Sequence, residues 1–381
     1  MTAVASKITK DPKIEQALRE IDWDFKDAHS KRSIHSFHSY PAKFIPEIPR
    51  ALIRVLPPPT SSVVFDPFCG CGTTLVEAQA AGYSSVGVDL NPIACLVSRV
   101  KTQLLPANFL SVAQQCLIEA KRKRTVQIPD IPNLGHWFKQ EVSEALAALR
   151  IAILEVSDPF LRDALEATFS SIIVRVSNQD SDTRYAAVDK PVSRDTVFSA
   201  FNDAAHNLGS TAPTLPGLLG PSVRVIESSI FEVEAVDIPD PVGLVITSPP
   251  YPNAYEYWLY HKYRMWWLNF DPLRVKSCEI GARAHFFSGR REKEDFRDQM
   301  TKVFALLARI VCEGGYCCFV VGDSKIHGQI IDNSQLLLQA AADTSFEFVF
   351  RSERVINQTR KSFNLNHARI QREHVLVWKR P

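Results

Sequence analysis

This chain has no uninterrupted apolar stretch long enough to cross a bilayer, and Met1 through Glu20 hold no continuous apolar run of the kind that opens a secretory leader. The expectation is a soluble, cytoplasmic protein. Its eight cysteines include no pair of Cys-x-x-Cys units with zinc spacing, so no metal is expected, and free thiols suit a reducing compartment. Charge of one sign is also missing. The net charge is only +2, so the whole-chain field carries little information about nucleic acid. No Gly-Lys-Ser/Thr follows the glycine-rich turn at Gly70 and Gly72, which excludes a Walker phosphate loop. What is present is apolar residue in quantity: 45% of 381 positions, ample for a buried core. One α/β core carrying a large insertion is the economical organisation for this length.

Two strings stand out. Thr247-Ser248-Pro249-Pro250-Tyr251 follows the apolar run Val242–Ile246, which reads as a buried parallel strand. Consecutive prolines stop that strand, since each lacks an N–H and fixes φ. A rigid loop should result at the strand's C-terminal end, with backbone carbonyls and the Tyr251 ring facing outward. Open α/β sheets bind ligands at that edge, and acceptors beside a flat ring suit a planar base bearing an amino group. Upstream, Asp66-Pro67-Phe68-Cys69-Gly70-Cys71-Gly72 follows the short strand Val63–Phe65, and a helix should begin at Thr73. A second strand, Val86–Val88, ends in Asp89, where a carboxylate commonly receives ribose hydroxyls. Leu75 stands where a dinucleotide fingerprint needs a small residue, so the loop is not built for a pyrophosphate.

Three parts organise the rest: 1–105, 106–222 and 223–381. The first holds a helix over 11–25, the segment His35–Phe44, a helix from Pro46 to Val55 and another from Pro92 to Lys101. Residues 106–222 break the strand–helix alternation with helical patterns near 108–123, 139–156 and 159–175. The polar stretch Ser177–Tyr185 is expected to face DNA or the active site, and 207–222 looks like a linker. In the last part, an aromatic helix over 253–268 is read mainly as core, with Tyr255 and Tyr257 as exceptions. A polar loop spans 276–293, a helix 293–312 and a core strand 316–321. Phe346–Arg351 and His374–Trp378 should form a closing antiparallel pair. Lys121–Arg124, Arg290-Arg291-Lys293 and the end from Arg351, with eight basic against two acidic residues, are candidate phosphate contacts.

With these residues in view, the chain resembles the bacterial S-adenosylmethionine-dependent DNA amino-methyltransferases (N4-cytosine/N6-adenine type, TSPPY subgroup). The likeness covers roughly 33–102 and 223–380. It implies a Rossmann-like α/β methyltransferase fold: a mixed sheet with helices on both faces, here with a helical insertion that is a candidate target-recognition region, alongside the 276–293 loop and the basic C-terminal end. Asp66–Thr74 resembles that family's cofactor loop, Ser248–Tyr251 its catalytic loop, and His35–Phe44 the segment closing over the cofactor's methionine end. By that resemblance Asp66, Phe68, Gly70 and Gly72 would line the methionine and ribose of S-adenosylmethionine. Asp89 would accept ribose hydroxyls, Lys43 would meet the methionine carboxylate, and Glu227 lies where adenine is contacted. A serine before Pro-Pro-Tyr is associated there with N4-cytosine. A restriction–modification system, with a cognate endonuclease acting on the same sequence, is the usual setting.

The chemistry fits these residue types. An exocyclic amine is a poor nucleophile, because its lone pair is delocalised into the ring. Nitrogen, methyl and sulfur must be held in line, and acceptors for the amine protons stabilise the developing ammonium. Ser248 Oγ and the Pro249 carbonyl would be those acceptors, beside Pro250. Tyr251 would stack on a base flipped from double-stranded DNA. Cys69 lacks the Pro-Cys pair of C5-cytosine methyltransferases, so it reads as a small turn residue. An N6-adenine enzyme, an RNA amino-methyltransferase and a non-catalytic DNA-binding subunit remain as rivals, although no RNA-binding module is visible.

Overall fold

A computed structural model describes residues 12–26, 34–182, 184–212, 220–238, 240–252, 256–282, 292–356 and 372–381. The chain opens with α1 (Pro12–Arg19), shorter than the expected 11–25 helix. Beyond it, Trp23 turns back to donate from Nε1 to the Leu18 carbonyl at 3.1 Å. A 3-10 turn (Ile34–Ser36) precedes α2 (Glu47–Val55). Alternation follows: β1 (Val63–Asp66), α3 (Thr73–Ala80), β2 (Ser85–Asp89), α4 (Pro92–Thr102). Asn91 caps α4, accepting from Ile93 N at 3.0 Å, with Pro92 in the first turn, where its missing N–H costs nothing.

The insertion comprises α5 (Phe109–Arg122), the single turn α6 (Leu134–Trp137), α7 (Gln140–Leu154) and α8 (Pro159–Ile172). The hairpin β3 (Gln179–Ser181) with β4 (Arg184–Ala187) and the helix α9 (Arg194–Thr211) complete it. One expectation is corrected here. The start of the 207–222 linker is the last turn of α9, whose capping box at Ser193 and Thr196 marks an N-terminus that composition obscured. In the polar stretch 177–185, whose residue 183 lies outside the described residues, Ser177 and Gln179 are buried and Asp182 pairs with Arg264. Its Asn178 and Gln179 amides bond to backbone carbonyls of His136 and Ser181, so those groups do not present to a base.

The core then resumes with β5 (Val223–Glu227), β6 (Val242–Thr247), α10 (Tyr257–Trp267), α11 (Pro272–Cys278), α12 (Lys293–Ile310) and β7 (Val311–Gly322). It ends with the small hairpin β8 (Ser324–Ile326) and β9 (Gln329–Ile331), α13 (Asn333–Ala341), β10 (Glu347–Val355) and β11 (Arg372–Lys379). The α11 helix occupies the start of the expected 276–293 loop, and residues 283–291, with Arg290 and Arg291, lie outside the described residues. In α10, Tyr263, Met265 and Trp267 are core as expected; Tyr255 is outside the described residues.

Seven strands form one mixed sheet in the order β10-β11-β7-β6-β1-β2-β5, parallel except for the antiparallel pairs of β11 with its two neighbours. This is the expected closing pair, and the fold class stands as read. Alternate strand residues serve the two faces. Val64, Leu244, Ile246 and Cys318 meet α1 and α2 on one side; Phe65, Val245, Cys317 and Phe319 meet α12 and α13 on the other. A third cluster joins the insertion helices to α4 and α10.

Gly87 explains how Leu75 is tolerated where a dinucleotide loop needs a small residue. A Cβ on Gly87 would lie 2.8 Å from both Cys69 Cβ and Leu75 Cδ1, so the space absent on α3 is supplied by β2. Gly87→Ala should therefore lower unfolding free energy by about 1–3 kcal/mol through overpacking, and by less in a Leu75→Ala background. Urea denaturation of the four proteins of that cycle checks this; strictly additive losses would refute the close-packing explanation.

Candidate active site

The chain runs β1, β2, β5 to one side and then returns to place β6 on the other side of β1. The crevice at the carboxyl ends of β1 and β6 is a topological switch point, where α/β sheets take ligands. Thr247 Oγ1 donates to Asp66 Oδ1 across it at 2.7 Å, and Thr74 Oγ1 donates to the Ile246 carbonyl at 3.3 Å. Both sequence motifs thus sit on adjacent strand ends.

The loop after β1 turns at Gly70 (φ 50) and Gly72 (φ 77), both left-handed. A Cβ on Gly72 would also strike Ser98 at 2.8 Å. Asp89 at the end of β2 accepts from Gly70 N and Asn91 N, each at 2.8 Å, so its carboxylate fixes the loop. Ser98 Oγ holds the Gly70 carbonyl at 2.8 Å, and the fully buried Lys101 holds the Cys71 carbonyl at 2.9 Å. Burial pushes the Asp66 and Asp89 carboxyls up to about 6, against the hydrogen bonds they accept.

The segment 34–44 is bolted down at both ends. His35 Nε2 meets Glu77 Oε1 at 2.8 Å, and Glu77 also takes a bidentate contact from Arg50. His38 is fully buried, with Nε2 3.0 Å from Ser170 Oγ of α8. Tyr40 stacks on His261 and Tyr257 of α10, with centroids 4.7 and 6.1 Å away. Lys43 Nζ donates to the His35 carbonyl while facing the cavity. Tyr40, Ser98, Lys101 and Glu279 are roles the sequence reading did not assign; stacking partners and buried cations have no local pattern.

Tyr251 is corrected. The ring expected to face outward is only 7% exposed and packs into the core. Its hydroxyl lies 3.1 Å from Ser248 Oγ and 3.1 Å from Glu373 Oε1. Gly281 (φ 72) presses on the loop from the far side: a Cβ there would be 2.8 Å from the Tyr251 carbonyl oxygen. The C-terminal basic end is also corrected in part. Arg351, Arg354 and Arg372 pair with Asp332, Glu373 and Glu353, and Arg380 binds the Ala308 and Val311 carbonyls. Arg360, Lys361 and Arg369 lie outside the described residues. Lys123 of the 121–124 run pairs with Glu155 at 3.1 Å.

One cavity joins these parts. Lys43, Asp66, Phe68, Gly70 and Asp89 line it together with Ser248 and Pro250. Ser228, Ser229 and Ile230, after β5, close one side; Tyr257, Cys278, Glu279 and Ile280 close another. Gly72, Pro249 and Tyr251 are not on the wall: Gly72 shapes the turn behind it. Asp323, Asp332 and His374 are the one group of possible metal ligands among the described residues, and they are not among the residues lining this cavity. Glu279 is buried and caps α10, accepting from Tyr257 N at 2.7 Å and Trp258 N at 3.3 Å. Burial outweighs those bonds and pushes its carboxyl up to about 8. With the folded value above the unfolded one, the folded form loses stability as pH rises from about 4.5 to 8. Glu279→Gln mimics the protonated form. Between pH 5 and pH 9 the parent should lose about 2–4 kcal/mol more unfolding free energy than the variant; parallel pH curves in denaturant would contradict this.

Residues 4–99 match the family model described as DNA methylase. The type II methyltransferase M.MvaI of Kocuria varians is 31% identical over 60% of this chain and 56% of its own length. M.MjaII of Methanocaldococcus jannaschii is 33% identical over 22% of this chain and 17% of its own, and M.BsoBI of Geobacillus stearothermophilus 31% over 22% and 16%. The chain therefore spans about half the length of the first of these curated relatives and less than a fifth of the other two. Residues 4–99 are thus similar to the DNA methylase family, and the chain is similar to the Kocuria type II methyltransferase over 60% of its length and to the other two over 22%.

Proposed function

We propose that the chain is an S-adenosylmethionine-dependent DNA methyltransferase that methylates an exocyclic base amine, with N4 of a flipped cytosine as the target. The observation that carries this reading is that Ser248 and Pro250 line the same cavity as Gly70 and Asp89, so a methyl donor and an amine acceptor meet at one sheet edge. The cavity fits the donor. It offers a carboxylate at Asp89, a cation at Lys43, apolar walls at Phe68 and Ile230, and the buried Asn91 amide, whose Nδ2 has no hydrogen-bond partner.

In this reading Asp89 accepts the ribose hydroxyls, Lys43 meets the methionine carboxylate, and Asp66 and Phe68 flank the methionine, while Gly70 and Gly72 shape the turn. Bound S-adenosylmethionine supplies an activated methyl group. Ser248 Oγ, which lines the cavity, accepts an amine proton of the target base and draws its lone pair out of conjugation; the Pro249 carbonyl, the second acceptor of the sequence reading, would have to turn toward the cavity to join it. The base enters after flipping, beside Pro250 and the Tyr251 loop. No side chain needs to become a covalent nucleophile, and the product ammonium loses its proton to water. Ser248 supports cytosine through the family association alone. The helical insertion 106–222 is the target-recognition candidate, and a restriction–modification setting with a cognate endonuclease completes the reading.

Two measurements test it. Binding of S-adenosylmethionine to the purified protein should weaken as pH falls through about 6, where Asp89 protonates. Asp89→Asn should bind roughly tenfold more weakly at pH 8, with a flatter pH profile; an unchanged profile would remove Asp89 from the site. Ser248→Ala should keep cofactor affinity within about twofold yet lose at least about 100-fold in transfer of labelled methyl to DNA. Transfer at the parent rate would exclude Ser248 as an acceptor, and label in RNA alone would favour the RNA enzyme.

A further inference from the structure

Glu373 and Arg354 lie on β11 and β10, outside both sequence motifs, yet Glu373 touches the catalytic loop and Arg354 holds Glu373. Glu373 Oε1 is 3.1 Å from the Tyr251 hydroxyl, and its other oxygen takes the Arg354 guanidinium. Arg354 is 6% exposed and is braced by Nε donating to the Trp23 carbonyl at 2.9 Å. The Val355 amide next to it donates to Asp24 Oδ1 at 2.7 Å, so the turn after α1 anchors the strand. The Val320 carbonyl, 3.4 Å from the Tyr251 hydroxyl, is a further acceptor there.

These contacts fix a direction. A carboxylate engaged by a guanidinium accepts hydrogen bonds and donates none. With the Glu373 carboxylate 3.1 Å away, the Tyr251 hydroxyl hydrogen points to an acceptor on that side rather than to Ser248. On the Ser248 side its oxygen can only accept, so the Ser248 hydrogen turns toward Tyr251, 3.1 Å away. The Ser248 lone pairs are left for the cavity, which Ser248 lines.

We propose that Glu373, held by Arg354, is a positioning residue that acts through Tyr251 to keep Ser248 an acceptor toward the substrate amine. This rests on the methyl-transfer reading above. It also gives the buried Tyr251 a role that ring stacking does not: the phenol is the middle member of a polarised chain, Ser248 to Tyr251 to Glu373.

Glu373→Gln is the informative change, because it keeps the shape. Arg354 claims the amide oxygen, which turns the NH2 toward Tyr251, so a second donor competes with the Ser248 hydrogen for the phenol oxygen and frees that hydrogen to point into the cavity. With the purified full chain, kcat for DNA methylation should fall about tenfold or more, with KM for S-adenosylmethionine within about twofold, measured well below the thermal midpoint, which loss of the buried Arg354 countercharge lowers. Tyr251→Phe should lose a similar factor, and the double variant no more than either single one. Glu353→Gln, an exposed neighbour on β10, should leave kcat unaltered. Parent-like kcat in Glu373→Gln, or additive losses in the double variant, would overturn the proposal. A second readout needs no activity. The 19F resonance of 3-fluorotyrosine placed at position 251 should move in Glu373→Gln and stay in Glu353→Gln. An unmoved resonance defeats the relay whether or not DNA is methylated. A moved resonance in a protein without methyl transfer upholds the relay and defeats the functional reading instead.

Discussion

The parallel pairing of β1 with β6 is the constraint on which the site depends. Each strand ends in one of the two motifs, and their pairing brings Asp66 within 2.7 Å of Thr247. Residues 181 positions apart thereby become neighbours at a single sheet edge. Everything nearby serves that edge. Gly70 and Gly72 bend the loop away from β1, Asp89 receives the loop amide, and Gly87 opens room for Cys69 and Leu75. The cost is the burial of two carboxyls near one another, offset by hydroxyl and amide donors aimed at them.

A second layer of polar contacts keeps the edge closed from above. His38, His261 and Arg264 are buried together between α8, α10 and the 34–44 segment, and Asp182 from the β3–β4 hairpin neutralises Arg264. Leaving any of these unpaired inside the fold would cost more than the pair contributes. The insertion is thus joined to the core through Asp182 and Ser170, which places it beside the cavity's Tyr40 and Tyr257.

The strands and motif loops were legible because their signals are local. Apolar runs ending in Asp66, Asp89 and Thr247 mark buried parallel strands, and glycine or proline marks where each stops. Long-range pairing was not legible. Nothing in Ser248-Pro249-Pro250-Tyr251 says that Glu373 waits for the tyrosine hydroxyl, so the ring read as outward lies inside. The surplus of arginine after residue 350 read as a surface for phosphate, but Arg351, Arg354 and Arg372 face acids on neighbouring strands and loops. The α9 helix was hidden because Asn, Ser, Thr and Gly fill its last turns; its apolar face, Val197, Phe201 and Leu208, closes the insertion core.

That an amine nitrogen on DNA receives the methyl group is tested most directly by nucleoside mass spectrometry of DNA from a methylation-free bacterial host expressing the chain. N4-methylcytosine is the expected product. N6-methyladenine would keep the acceptor mechanism and overturn the base assignment. Unmodified DNA, from cells holding folded protein that binds S-adenosylmethionine, would contradict the assignment of this site to DNA methylation.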